Sequence, residues 1–103
     1  MRWLIAIALL FALSGAAQAA DEAKTFEILA YIVQCESGGK HDNIWGKHGE
    51  YGWFQFKEKS FYFLANKMKL KGMQWKNKHH QYIIAKWGIE NGYSNWWTCA
   101  KNL

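Results

Sequence analysis

The stretch FEILAYIVQCESGG, residues 26–39, decides how the rest of the chain is read. Phe26, Leu29, Ala30 and Val33 fall at the i, i+3, i+4, i+7 spacing of a helix with one apolar face. Gly38 and Gly39 follow, and glycine readily takes the left-handed conformation in which helices end. The pattern predicts a helix from about Glu22 to Glu36, with Asp21 or Thr25 as its cap. Cys35 and Glu36 then stand together at the helix C-terminus, and the two glycines beyond leave room for a ligand to approach the backbone.

Working outward toward the N-terminus, Arg2 is followed by an apolar run from Trp3 to Leu13, then by Ser14-Gly15 and Ala17-Gln18-Ala19. This is the pattern of a secretory signal peptide. Its eleven apolar residues fall short of the roughly 20 that an ordinary transmembrane helix needs. An uncleaved membrane anchor is the other reading of the same run. The expectation is a leader over residues 1–19 and one exported domain over residues 20–103, secreted or periplasmic, with no stable membrane insertion once the leader is cut.

Working outward toward the C-terminus, residues 40–56 change character. Gly46, Gly49 and Gly52 punctuate them, and Tyr51 to Phe56 reads as a short strand with Lys47-His48-Gly49 as its turn. Phe61, Leu64, Ala65 and Met68 predict a second helix over roughly Glu58 to Lys71, stopped by Gly72. A third is expected from Lys78 to Glu90, capped by Asn77, with Ile83, Ile84 and Trp87 as its apolar face. The tail holds Trp96, Trp97 and Cys99. In an exported chain an isolated pair of cysteines reads as one disulfide, Cys35 with Cys99, two buried thiols being the alternative. The predicted architecture is α+β, mainly helical, with a short β-hairpin and one disulfide.

Without Arg2 the domain has twelve Lys against eight carboxylates, a charge of +4. A basic protein is drawn to polyanions. The lack of any further Arg counts against sequence-specific reading of nucleic acid, where Arg is the usual partner of guanine. An anionic cell wall fits an exported protein better; a solvated Lys-rich surface is the plain alternative. His41, His48, His79 and His80 lack the spacing of a zinc motif, and no phosphate-binding glycine loop is present, so neither a metal nor another cofactor is expected.

Glu36 is the candidate for chemistry. The negative end of the helix dipole works against a carboxylate there, and a general acid needs its proton. Placement alone also fits an ordinary solvated Glu at a helix end. If Tyr51 to Phe56 is a strand, Tyr51, Trp53 and Gln55 share one face, suited to sugar rings and their hydroxyl or acetamido groups. A hairpin that merely completes the core is the reading the pattern alone favours.

The segment Gln34-Cys35-Glu36-Ser37-Gly38-Gly39 resembles the active-site helix end of resuscitation-promoting factors and lytic transglycosylases. Tyr51-Gly52-Trp53-Phe54-Gln55-Phe56 resembles their glycine-containing strand, and Ser60-Phe61 stands where they often have Thr-Trp. Gly92 to Cys99 resembles the closing segment of the resuscitation-promoting factor domain. The matches keep their order and cover nearly all of residues 20–103. The resemblance implies a lysozyme-like α+β fold that cleaves the β-1,4 bond between N-acetylmuramic acid and N-acetylglucosamine in peptidoglycan. It implies Glu36 as the acid, Ser37 as support for the helix end, Tyr51 and Gln55 as cleft residues, and a Cys35–Cys99 disulfide. Trp53 replaces a residue that is often small, and either narrows the cleft or adds a stacking platform; Trp97 replaces a common Pro.

Glycoside hydrolases normally use two carboxyl groups. A lytic transglycosylase needs one, because the sugar's own 6-hydroxyl attacks and proximity replaces an activated water. Asp42, Glu50, Glu58 and Glu90 are the candidates for a second carboxylate, Glu50 foremost because it precedes the aromatic stretch. None lies in a motif, so the expectation is a transglycosylase, with a hydrolytic lysozyme next. A non-catalytic wall-binding module is the alternative from another class. A membrane-active cationic protein is disfavoured, since no segment is both strongly basic and cleanly amphipathic.

Overall fold

A computed structural model describes the backbone of residues 2–102 and the side chains of residues 17–101. Most of the leader expected over residues 1–19 lies outside the described side chains. Among the described residues no helix is long and apolar enough to cross a membrane.

The chain is mainly helical. Helix α1 spans Arg2–Ser37, so the helix expected from Glu22 extends further back. It ends where the glycines predict: Gly38 and Gly39 have φ of 64° and 80°, and their N–H groups donate to the carbonyls of Gln34 and Val33. The stripe it buries is turned from the expected one. Leu29 and Ile32 are buried, with Ile28 and Val33 packed beside them, whereas Phe26 is 60% exposed and Ala30 is also exposed. The third helix and the tail pack against this rotated face. The rotation matters, because Glu36 is four residues after Ile32 and so comes round to the core side.

Helix α2, Glu58–Lys67, buries Phe61, Leu64 and Ala65 as expected. It stops four residues short of Lys71. The first left-handed residue after it is Lys69, at φ 58°, ahead of Gly72 at 75°, and the N–H groups of Met68, Lys69 and Leu70 fold back onto the last turn. Helix α3, Lys78–Glu90, has the predicted bounds, and the Asn77 side chain caps it by accepting from the N–H groups of His79 and His80. Ile84 is buried, Trp87 is half-buried, and Ile83 is 44% exposed. Gln81 and Gly88 share the inward face with Ile84 and Ala85. Gly88 allows close contact: a Cβ there would sit 3.3 Å from the Trp97 ring.

The tail forms two short 3-10 turns, Ser94–Trp96 and Thr98–Asn102. Between them Trp97 enters the core among Phe54, Phe56 and Ala100, and its indole N–H donates to the Phe54 carbonyl at 2.9 Å. Cys99 is disulfide-bonded to Cys35 at the end of α1, across 64 positions of chain.

The expected short β-hairpin is not found among the described residues. Its place is taken by two isolated bridges, Trp45 with Tyr51 and Tyr51 with Phe56. The backbone explains this. Gly52 and Gln55 have φ of 81° and 49°, so residues 51–56 curl rather than extend. Tyr51 and Phe56 exchange both backbone hydrogen bonds, at 2.9 and 3.2 Å, and close the turn. Tyr51, Trp53 and Gln55 therefore do not alternate along one strand face.

Two buried polar side chains fix this turn. The Gln81 amide donates to the carbonyls of Tyr51 and Trp75, at 2.8 and 2.9 Å, and its oxygen accepts from Phe54 N–H at 3.0 Å. His41 Nδ1 accepts from Trp53 N–H at 2.9 Å; the ring proton therefore sits on Nε2 and is donated to the Lys76 carbonyl at 2.7 Å. A Cβ on Gly52 would lie 2.6 Å from His41 Nδ1 and 2.9 Å from Gln81 Nε2, so both contacts require glycine there.

Candidate active site

Glu36 lines a cleft of about 440 Å³ between the end of α1, the turn region and the tail. The half-buried side chain is met by the tail: Cys99 N–H donates to Glu36 Oε1 at 3.3 Å. The disulfide one residue before Glu36 and the donor on Glu36 thus come from the same two points of chain. Trp96 and Thr98 bring the tail's own side chains to this wall, and Phe56 and Trp97 lie beneath.

Glu50 lines the same cleft. The Gly46–Glu50 loop holds it, with Gly46 N–H donating to the Glu50 carbonyl at 2.8 Å. Gly46 is needed because a Cβ there would collide with Glu50 Oε2 and with Gln55 Oε1, at 2.5 Å from the latter. Among the described residues Glu50 Oε1 is the one buried side-chain polar atom without a hydrogen-bond partner. Such an atom is costly unless something in use satisfies it.

The expected site residues are partly brought together. Gln55 lines the cleft with Glu36, but its amide N–H groups donate to the carbonyls of Ile44 and Gly52 at 3.2 and 2.9 Å. Only its oxygen remains for a ligand. Ser37 Oγ lies 2.8 Å from the Val33 carbonyl and 2.9 Å from the Trp53 carbonyl, sharing one proton between the helix end and the turn. Tyr51 and Trp53 fall outside the cleft lining. Tyr51 is buried, edge-on to His41 and Trp45, and its hydroxyl accepts from Asn43 N–H. Trp53 donates from its indole to the Gly39 carbonyl at 3.2 Å and carries Lys78 over its ring. Both rings therefore build the turn rather than face the cleft.

Sequence reasoning missed Lys57 and Thr98, which also line the cleft, and named His48, Ser60 and Trp96 without assigning them there. Trp96 and Thr98 follow from the disulfide, which fixes the tail beside Glu36. His48 and Lys57 carried no signal, since one sits in a turn and the other precedes a helix.

Compared with protein-family models, with curated proteins and with solved structures, the chain matches none.

Proposed function

We propose that the chain is an exported peptidoglycan lytic transglycosylase of lysozyme-like α+β fold, with Glu36 as its acid and then its base. The observation that carries this reading is Glu36 itself: a carboxyl group at a helix end, lining a cleft, held by a backbone donor from the disulfide-bonded tail. With Oε1 engaged by Cys99 N–H, Oε2 is free to transfer a proton. It donates to the glycosidic oxygen between N-acetylmuramic acid and N-acetylglucosamine, and that C–O bond breaks. The carboxylate then takes the proton of the muramic 6-hydroxyl as its oxygen bonds to C1, closing a 1,6-anhydro ring. No water is consumed, and the acid is regenerated. Gln55 offers an acceptor to a sugar hydroxyl, and Trp96 offers a ring face at the rim.

One observation favours hydrolysis as the second reading. Glu50 shares the cleft and keeps an unpartnered buried oxygen, and hydrolysis calls for a second carboxylate to direct a water or stabilise an oxocarbenium ion.

Mass spectrometry of soluble products from purified peptidoglycan tests both. Muropeptides one water lighter than hydrolysis products, absent with Glu36→Gln, are the expected result. Reducing-end products lost with Glu50→Gln would replace the transglycosylase by a lysozyme. Sedimentation with the wall and no product from either protein would leave a binding module.

A further inference from the structure

Three acceptor oxygens gather on two residues that line the Glu36 cleft, Glu50 and Gln55. Glu50 Oε1 is buried and has no partner. Glu50 Oε2 and Gln55 Oε1 lie side by side over the bare backbone of Gly46. The Gln55 amide is not free to turn and offer a donor, because its N–H groups are spent on the carbonyls of Ile44 and Gly52. Gln55 is held there at φ 49°, a left-handed conformation that a side-chain-bearing residue keeps only when its surroundings compel it. Lys57 and His48 line the same cleft, both exposed, and neither pairs with Glu50: among the described residues the one ion pair is Lys86 with Glu90. Nor do three His, Cys, Asp or Glu side chains converge as a metal site among the described residues.

A neutral sugar answers this arrangement poorly. A hydroxyl or an acetamido N–H brings one donor and no charge, so a strand that drives water from the cleft leaves the Glu50 carboxylate desolvated without a counter-charge. An acetamido carbonyl would add a fourth acceptor to three. An ammonium brings three N–H donors and the missing charge. The chain as a whole is +5, so attraction of a cation here is local to these residues. A β-1,4 amino-sugar strand presents an ammonium wherever an N-acetyl group has been removed. We propose that Glu50 and Gln55 form an ammonium subsite, and that the strands the cleft prefers carry free 2-amino groups. In place of a sugar hydroxyl, Gln55 Oε1 then accepts one N–H while Glu50 supplies the counter-charge. The inference rests on the glycan-cleaving reading of the cleft, and it makes Glu50 a specificity residue.

The test is calorimetric titration of the purified chain, and of Glu36→Gln to exclude turnover, in buffer acidic enough to keep the amines charged. The ligands are three β-1,4-linked tetramers that differ only at C2: ammonium, acetamido or hydroxyl. The amino tetramer should bind about tenfold more tightly than either neutral one, the scale of a single hydrogen bond to a charged group. Glu50→Gln should remove that preference, and Glu50→Asp, which keeps the charge, should retain part of it. Equal affinity for the amino and hydroxyl tetramers, no binding of any of the three, or a preference that survives Glu50→Gln would overturn the proposal. The comparison of ligands on the unaltered chain decides the matter even where a Glu50 variant fails to fold. Product release from peptidoglycan separates the two claims. A preference for the amine without any product removes the cleavage reading and leaves the subsite; product without the preference does the reverse.

Discussion

Gln81 has no exposed surface, and its amide satisfies three backbone groups on two loops. Replacing it by Leu keeps volume but strands Phe54 N–H and the carbonyls of Tyr51 and Trp75. An unsatisfied buried group costs about 1–3 kcal/mol, so Gln81→Leu should destabilise by several kcal/mol, read as a lowered midpoint in urea. Gly52→Ala faces strain at φ 81° together with the clash at His41, and should lose about 2 kcal/mol or more by the same measurement. Glu36→Gln differs in kind. Its neighbours are a backbone N–H and a cleft, so stability should change little while product release falls by about 10²–10⁴-fold, the usual range for a general acid. A variant that unfolds, or one that keeps full activity, would remove Glu36 from the mechanism.

At the scale of elements, helices were legible where local rules act and illegible where neighbours decide. Asn77 and the Gly38-Gly39 stop are local, and both ends fall where the residues place them. The buried face of α1 is not local: four apolar candidates fit a stripe through Phe26, and only packing against α3 and the tail selects the one through Ile32. The turn at 51–56 misled because Tyr-x-Trp-x-Gln alternates like a strand, while its conformation is set by Gly52 and by two polar residues, His41 and Gln81, from distant positions. Glu36 and Gln55, both singled out from sequence, do line one cleft; Tyr51 and Trp53 could not be told from core, since both uses call for the same aromatic rings. The Asn77 cap makes a separate prediction: Asn77→Ala should cost about 1 kcal/mol, seen in thermal unfolding.

At the scale of the whole molecule, Cys35–Cys99 ties the first helix to the last turn and closes most of the domain into one loop. In the chain-entropy account that is worth about 4 kcal/mol, a large share of a small domain's stability. Cys99→Ser should therefore lower the midpoint by a wide margin, and should lower activity even under conditions where the variant stays folded, because the donor to Glu36 is no longer held. If residues 1–19 are a leader, intact mass of the exported protein should place its first residue at Ala20. On the proposed reading, the same bond also sets when the chain becomes dangerous to its maker. A newly made copy in the reducing cytoplasm lacks the link that seats the tail against Glu36. On the proposed reading, the site is assembled only after the chain has crossed to the side where its substrate lies, so delivery and arming become a single event.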